Sequence, residues 1–388
     1  MTKILIATGG TGGHIIPARS LASKLCEKNF KVIIAGDNNI CKYNKFHDKF
    51  IIKTINCSQI RPGLKNKIFA AIKIAIGIIK SLFLILKFRP KKIIAFGGYA
   101  TFPILIAAVI LRKRIIIHEQ NAVLGRVNKI FAKYAQKVAL SFEQVDIDDQ
   151  LKSKTIFTGI PIRDEILQLN KKQYQLPQKI TGKERKNMGY SGLILASEYD
   201  NFDEYFDKNE HFKILVIGGS GGAEIFSKIL PNAFFNLSEE FKNNIHIFQQ
   251  CRKDLLQETF DIYEKYNLNI EIDSFFNDME SKIAESHLII TRAGSSSIHE
   301  FLVAKKPMII VPLANSADNH QQKNAEIFVK NKSAIILEEQ NFDVRNICKV
   351  ITQLMSKDKK LINISKDCEN YANKHLDACS NLIKIINE

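Results

Sequence analysis

Apolar residues in this chain come in short continuous runs, set apart by polar and glycine-rich punctuation. Lys3–Ala7, Lys31–Ala35, Lys92–Phe96, Arg114–Ile117, Lys137–Ala139 and Thr155–Thr158 are such runs. They are rich in Ile and Val and do not alternate, which predicts strands of a parallel sheet covered on both faces. The same grammar restarts at Phe212, with Lys213–Ile217, Ile245–Phe248, Ile270–Asp273, Leu288–Thr291, Met308–Val311 and Ala334–Leu337. Helical spacing fills the intervals. Each half also opens alike, with a strand, a glycine-rich turn and a helix. The turns are Gly9-Gly10-Thr11-Gly12-Gly13-His14 and Gly218-Gly219-Ser220-Gly221-Gly222-Ala223. Glycine lets backbone N–H groups come close to a ligand, and the helix N-terminus that follows favours an anion. The pattern predicts an α/β chain of two Rossmann-like parallel-sheet domains facing across a cleft. The first covers 1–163 and ends at Gly159-Ile160-Pro161-Ile162-Arg163; the second covers 164–363. Residues 171–211 are polar without a clear period and read as a surface insertion or linker. A C-terminal helix over about 364–388 is expected to pack back on the first domain.

Composition narrows this picture. At 388 residues and 45% hydrophobic content the chain can build two ordinary cores. The glycine turns are not dinucleotide fingerprints: Ile15 and Glu224 stand where a third glycine is needed, and no Gly-Lys-Ser/Thr follows either turn. Seven scattered cysteines form no Cys-x-x-Cys pair, and no His/Cys/Asp/Glu group has metal spacing. Met1 runs straight into a strand, so no leader peptide and a cytosolic protein are expected.

The net charge of +16 is unevenly placed. Between Asp48 and Glu119 there is no acidic residue, while fourteen Lys and Arg lie there. The same stretch contains the apolar run Ile68–Leu86, interrupted by Lys73 and Lys80, which argues against a spanning helix. Lys73, Lys80 and Lys87 share one helical side, and Phe69, Ile72, Ile76, Ile79, Phe83 and Leu86 form an apolar stripe. One side of this helix is expected to pack on the sheet. Another would dip into an anionic membrane surface over about Ile68–Lys92, with lysines at headgroup level. Nucleic acid is the weaker partner, because the cations alternate with aliphatic rather than stacking aromatic residues.

Polar clusters gather at strand ends, where ligands bind in open parallel sheets. They are Thr11–His14, Gly97-Gly98-Tyr99, His118-Glu119-Gln120-Asn121, Thr291–Glu300 and Asp318–Gln322. Ser295–Ser297 can cap a helix, and its N–H groups suit a diphosphate, while Glu300 can hydrogen-bond a vicinal diol. His14, just inside a helix N-terminus, is predicted to be a neutral imidazole able to accept a proton.

Taken in order, these clusters resemble the MurG family of N-acetylglucosaminyltransferases over nearly the whole chain. The motifs are Gly9-Gly10-Thr11-Gly12-Gly13-His14-Ile15-Ile16-Pro17, Gly97-Gly98-Tyr99, His118-Glu119-Gln120-Asn121, Gly159-Ile160-Pro161-Ile162-Arg163, Gly218-Gly219-Ser220 and Asp318-Asn319-His320-Gln321. The resemblance implies a GT-B fold with an acceptor domain followed by a donor domain. It implies inverting transfer of GlcNAc from UDP-GlcNAc to the muramoyl 4-hydroxyl of lipid I, giving lipid II, with no metal or other cofactor. It further implies a peripheral enzyme on the cytoplasmic face of the bacterial inner membrane. By position, Thr11, Gly12, Gly13, Asn121, Arg163, Ser220, Phe276, Ser295, Ser296, Ser297, Ile298, His299, Glu300 and Gln321 match the family's UDP-GlcNAc contacts. His14 matches a histidine proposed to assist the acceptor hydroxyl. Two positions depart from the family pattern: Gly221 replaces a usual glutamine, and Phe276 a frequent isoleucine. The remaining alternatives are a UDP-GlcNAc epimerase of the same fold and a non-catalytic, membrane-associated sugar-nucleotide-binding subunit.

Overall fold

A computed structural model describes residues 1–43, 50–58, 63–145, 147–181, 204–206, 211–219 and 221–388. The first sheet is built from β1 (Lys3–Ala7), β2 (Lys31–Gly36), β3 (Ile51–Thr54), β4 (Lys92–Ala95), β5 (Arg114–Glu119), β6 (Lys137–Leu140) and β7 (Thr155–Phe157). Its order is β3-β2-β1-β4-β5-β6-β7, all parallel. After a short antiparallel pair, β8 (Lys179–Thr181) and β9 (Glu204–Phe206), the second sheet follows. It contains β10 (Phe212–Ile217), β11 (Ile245–Gln250), β12 (Ile270–Asp273), β13 (Leu288–Thr291), β14 (Met308–Ile310) and β15 (Ile335–Ile336). Its order is β12-β11-β10-β13-β14-β15, again all parallel. Both orders reverse direction beside the first strand of the sheet, between β1 and β4 and between β10 and β13. Those are the switch points where a crevice opens, and both glycine turns lie there.

The continuous apolar runs have the predicted cause. Ile4, Leu5, Ile6, Ile93, Ile94, Ile115, Ile116 and Ile117 are all essentially inaccessible, because helices cover both faces of the sheet. Two differences from the sequence pattern are instructive. Ile51–Thr54 pairs with β2 as an edge strand, although only two of its four residues are apolar and the strand is largely exposed. The polar stretch 171–211 includes the pair β8–β9; the rest of it from 182 to 203 and from 207 to 210 lies outside the described residues.

The C-terminus is two helices rather than one. Asp358–Ala372 buries Leu361, Ile364, Cys368, Tyr371 and Ala372 in the core of the second domain. Ala378–Asn387 instead lays Leu382, Ile383, Ile385 and Ile386 against Ile4, Ile6, Val32 and Ile34 of the first sheet. Only the part beyond the break therefore packs back. Lys92, fully buried in β4, donates to the Ile385 carbonyl at 3.0 Å and so ties down the end of that helix. Around Arg163, Ile160, Ile162 and Ile166 pack into the cluster that forms the core of the second sheet, together with Ala122 and Phe142.

Candidate functional site

The first glycine turn leaves β1 beside the switch point. The Gly10 N–H donates to Asp37 Oδ1 at 3.1 Å, and the Gly10 carbonyl accepts from Asn39 Nδ2 at 3.0 Å. Gly10 is thus held by the protein itself. Thr11 stands at the N-cap of helix α1 (Gly12–Glu27) without a side-chain cap bond, and the first-turn N–H groups at Gly12 and Gly13 have no helical partners. His14 is half-buried in the same turn, with Nδ1 3.1 Å from Thr11 Oγ1. Its pKa is lowered to about 4, first by burial and then by His320, with Asp37 pulling the other way. The neutral imidazole expected from the helix N-terminus is present, but desolvation is its main cause.

His320 belongs to the second domain, so His14 faces across the cleft. The helix Ser295–Val303 faces it too and packs directly against α1. The anticipated serine caps do not form: Gly294 is the N-cap, and Ser295 Oγ donates instead to the Gln120 carbonyl of the first domain. Ser296, Ile298, His299 and Glu300 are buried along this helix, and Ser297 is partly so. Arg163 reaches Glu300 with two parallel bonds, Nε to Oε1 at 2.7 Å and Nη2 to Oε2 at 2.8 Å. This bidentate pair is largely withdrawn from solvent, at 29% and 6% exposure.

Other bonds close the seam. Glu119, fully buried, accepts from the Asn121 N–H and Nδ2, the Gly125 N–H and Asn128 Nδ2. Burial raises its pKa against the pull of those donors. The loop so held offers Asn121 Oδ1 to Asn324 Nδ2 at 3.2 Å and the Ala122 N–H to Asn324 Oδ1 at 2.8 Å. Arg126 pairs with Asp318, which stands beside Asn319 in left-handed backbone. Asn324, Arg126 and Asp37 carry no motif in the sequence. The one available signal is that Asn324 lies on the buried side of its helix with Ala325 and Phe328.

On the second domain, a cleft of about 490 Å³ is lined by Gly218, Gly222, Arg292, Leu313, Gln321 and Glu339. A side chain at Gly218 would lie 2.2 Å from the Ala223 nitrogen, so only glycine permits this turn. Gln321 Oε1 accepts from the Ala293 and Leu313 N–H groups, which directs its amide NH2 group elsewhere. Arg292 is held by Glu339 and by the Val311 and Pro312 carbonyls. Burial opposes the Glu339 charge, yet the Ala314 N–H and Arg292 keep its carboxyl below the usual range. Ser220 lies outside the described residues; Gly221 faces open space. Phe276 follows the edge strand β12, and its side chain is buried in the core. Among the described residues no three His, Cys, Asp or Glu side chains come together as a metal-binding group.

The basic segment forms a surface of its own. Helix α2 (Leu64–Phe88) crosses from β3 to β4 and packs on helix α3 (Phe102–Ile110). A side chain at Gly77 would lie 2.0 Å from the Asn56 carbonyl, so this face is pressed onto the domain. The predicted stripe points the other way: Phe69, Ile72, Ile76, Ile79, Phe83 and Leu86 are all exposed, Phe83 to 70%. Exposed Ile110, Ile130 and Tyr134 are further large apolar side chains of the same domain. Lys80 and Lys87 are exposed, while Lys73 is half-buried with its ammonium 4.4 Å from the Phe69 ring centre. Ile68–Phe88 is long and apolar enough to cross a membrane by length and composition, despite its lysines. Topology decides otherwise, since both ends return to strands of one parallel sheet, β3 at its edge and β4 beside β1.

Comparison with known proteins adds kinship to geometry. Residues 4–140 match the N-terminal domain of glycosyltransferase family 28, and residues 213–382 match its C-terminal domain. The chain is 34% identical over 391 residues to the UDP-N-acetylglucosamine–N-acetylmuramyl-(pentapeptide) pyrophosphoryl-undecaprenol N-acetylglucosamine transferase of Rickettsia prowazekii (strain Madrid E), with 99% of each chain covered. It is 31% identical over 387 residues to the protein of that name from Rickettsia rickettsii (strain Sheila Smith), again with 99% of each covered. Among solved structures, Acinetobacter baumannii MurG aligns with a TM-score of 0.71 at 22% identity, covering 100% of this chain and 99% of that one. An S. aureus MnaA–UDP co-structure aligns with a TM-score of 0.65 at 13% identity, covering 100% and 96%. At such identities these structures speak for the two-domain GT-B fold alone.

Proposed function

The chain belongs to glycosyltransferase family 28, and from that membership we propose that it moves N-acetylglucosamine from UDP-N-acetylglucosamine to the muramoyl 4-hydroxyl of undecaprenyl-diphospho-muramoylpentapeptide, with inversion. The observation that carries this is the match, over 99% of both chains, to relatives named for that transfer. Those names favour transfer over an epimerase or a non-catalytic subunit.

The seam between the domains supplies what the reaction needs. In the tautomer whose Nδ1–H donates to Thr11 Oγ1, neutral His14 has Nε2 free to take the proton of the attacking hydroxyl. The departing UDP carries two phosphates, which need charge and N–H donors. Arg163, the first turn of α1 at Gly12 and Gly13, and the Gly218–Gly222 turn supply them. Glu300 is suited to the ribose diol, Gln321 and Asn121 to sugar hydroxyls, and the Phe276 backbone to the base. For donor to bind, the Arg163–Glu300 pair exchanges partners, the guanidinium turning to phosphate and the carboxylate to hydroxyls.

The α2 stripe and the cations around it suit the surface of an anionic membrane. There the apolar side chains enter the interface and each nearby Lys or Arg adds about 1 kcal/mol of attraction. In this reading the acceptor domain lies against the leaflet that holds a lipid-linked acceptor.

Purified protein given UDP-N-acetylglucosamine and a soluble lipid I analogue should release UDP in step with a disaccharide product. His14→Ala should lower kcat by about 10²–10⁴-fold while leaving UDP binding by calorimetry in place. Donor consumption without acceptor, or no turnover with a competent analogue, would overturn the assignment.

A further inference from the structure

Asp37 stands at the end of β2, buried, and no motif points to it. Its carboxylate joins the ends of three adjacent strands. Oδ1 accepts from the Gly10 N–H after β1 at 3.1 Å. Oδ2 accepts from the Tyr99 hydroxyl after β4 at 2.6 Å and from Asn39 Nδ2 at 3.0 Å. Burial and the bond to Asp37 raise the Tyr99 pKa, so the phenol keeps its proton and donates. The turn thus pinned carries Gly98, where a side chain would come within 3.5 Å of His14 Nδ1. Together with Thr101, whose N–H and hydroxyl donate to the Gly98 carbonyl, this carboxylate sets the floor under the imidazole.

Its charge matters too. Thr11 on its own helix holds Nδ1, His320 from the second domain disfavours a proton on the ring, and Asp37 favours one. Tyr99 and the Cys57 thiol, which burial and Asp37 push up to about 12, stay neutral beside it.

We propose that Asp37 is a positioning residue for the acceptor side, holding the Gly10 and Gly98–Tyr99 turns around His14 and supplying the negative charge that lets His14 take the proton of the attacking hydroxyl. This rests on the transfer proposed above. Asp37→Asn keeps the size, but an amide cannot accept from Gly10, Tyr99 and Asn39 together and carries no charge.

The test compares full-length wild type, Asp37→Asn and Tyr99→Phe, with UDP-N-acetylglucosamine and a lipid I analogue, from acid to neutral pH. Asp37→Asn should lower plateau kcat by about tenfold or more, with the KM for UDP-N-acetylglucosamine and UDP binding close to wild type. Loss of the negative charge lowers the His14 pKa further, so the acid limb of kcat should move to lower pH. A wild-type kcat with an unmoved limb would overturn the proposal, as would a loss seen wholly in the donor KM. Should Asp37→Asn fail to melt cooperatively, Tyr99→Phe decides. It loosens the carboxylate but keeps the charge, so kcat should fall several-fold with the limb in place, and an unchanged kcat would overturn the idea. Absence of turnover in the wild type itself would instead strike the transfer reaction.

Discussion

Arg163 and Glu300 neutralise each other where little solvent reaches, through a planar fork that lysine cannot copy. In the transfer proposed above, the guanidinium turns to phosphate when donor binds. Arg163→Ala leaves a carboxylate of 6% exposure without its counter-ion. Such a loss costs about 3 kcal/mol. The melting temperature should therefore drop by several degrees, and UDP affinity by about tenfold or more, since a charge-assisted pair with phosphate is lost as well. Arg163→Lys should recover part of the stability and little of the affinity; calorimetry reads both. At this scale the sequence revealed residues that sit inside motifs, such as His14 and Glu300. It could not reveal Asp37, Asn324 or the Arg126–Asp318 pair. Their partners are 27, 202 and 192 residues away, so neighbours in the chain do not disclose these pairings.

Helix α2 is an element whose amphipathic reading needed the fold to give it a direction. Periodicity showed an apolar stripe and a lysine face but not which side met the sheet. Gly77 and Ser81, both buried, mark the packed side, and the large apolar residues are turned outward. An exposed apolar row of this size is unusual unless it has a partner. Phe83→Asp should therefore reduce binding to vesicles rich in anionic lipid by about tenfold, from the loss of roughly 1.5 kcal/mol of buried aromatic surface. Its kcat on a soluble acceptor analogue should stay as in wild type. Equal co-sedimentation of variant and wild type would remove this face from the membrane contact. Edge strand β3 escaped the sequence reading for a related reason: half-exposed edges carry few apolar residues, and their pairing supplies the missing order.

Across the whole molecule, buried histidines collect where the domains meet. His299 and His375 lie with ring centres 4.5 Å apart, and among the described residues the His375 nitrogens and His299 Nε2 have no hydrogen-bond partner. Burial lowers the His118 pKa to about 4 against the Gly159 carbonyl bond, and lowers that of His299 to about 4 against the Ser295 carbonyl. It lowers His375 as well, aided by His299 and Lys374. Folded values below the unfolded one of ~6.5 mean that the unfolded chain binds more protons in acid. Stability is therefore full above about pH 6.5 and is lost as pH falls toward 4, at about 2 kcal/mol for each of His118 and His299 by pH 5. Melting at pH 5 should occur roughly 5–10 °C below that at neutral pH, and His375→Phe should flatten the slope. The sequence by itself determined the strand–helix alternation, the two glycine turns, the basic apolar segment and the failure of dinucleotide spacing. Each is a local pattern of propensity, period or charge, so neighbours in the chain suffice to write it. Only the tertiary structure decided which side chains meet across the seam, that the C-terminal helix divides between the two cores, and which face of α2 is left bare. Those depend on two sheets being brought together through contacts more than a hundred residues apart, where side-chain geometry rather than local pattern selects the partner.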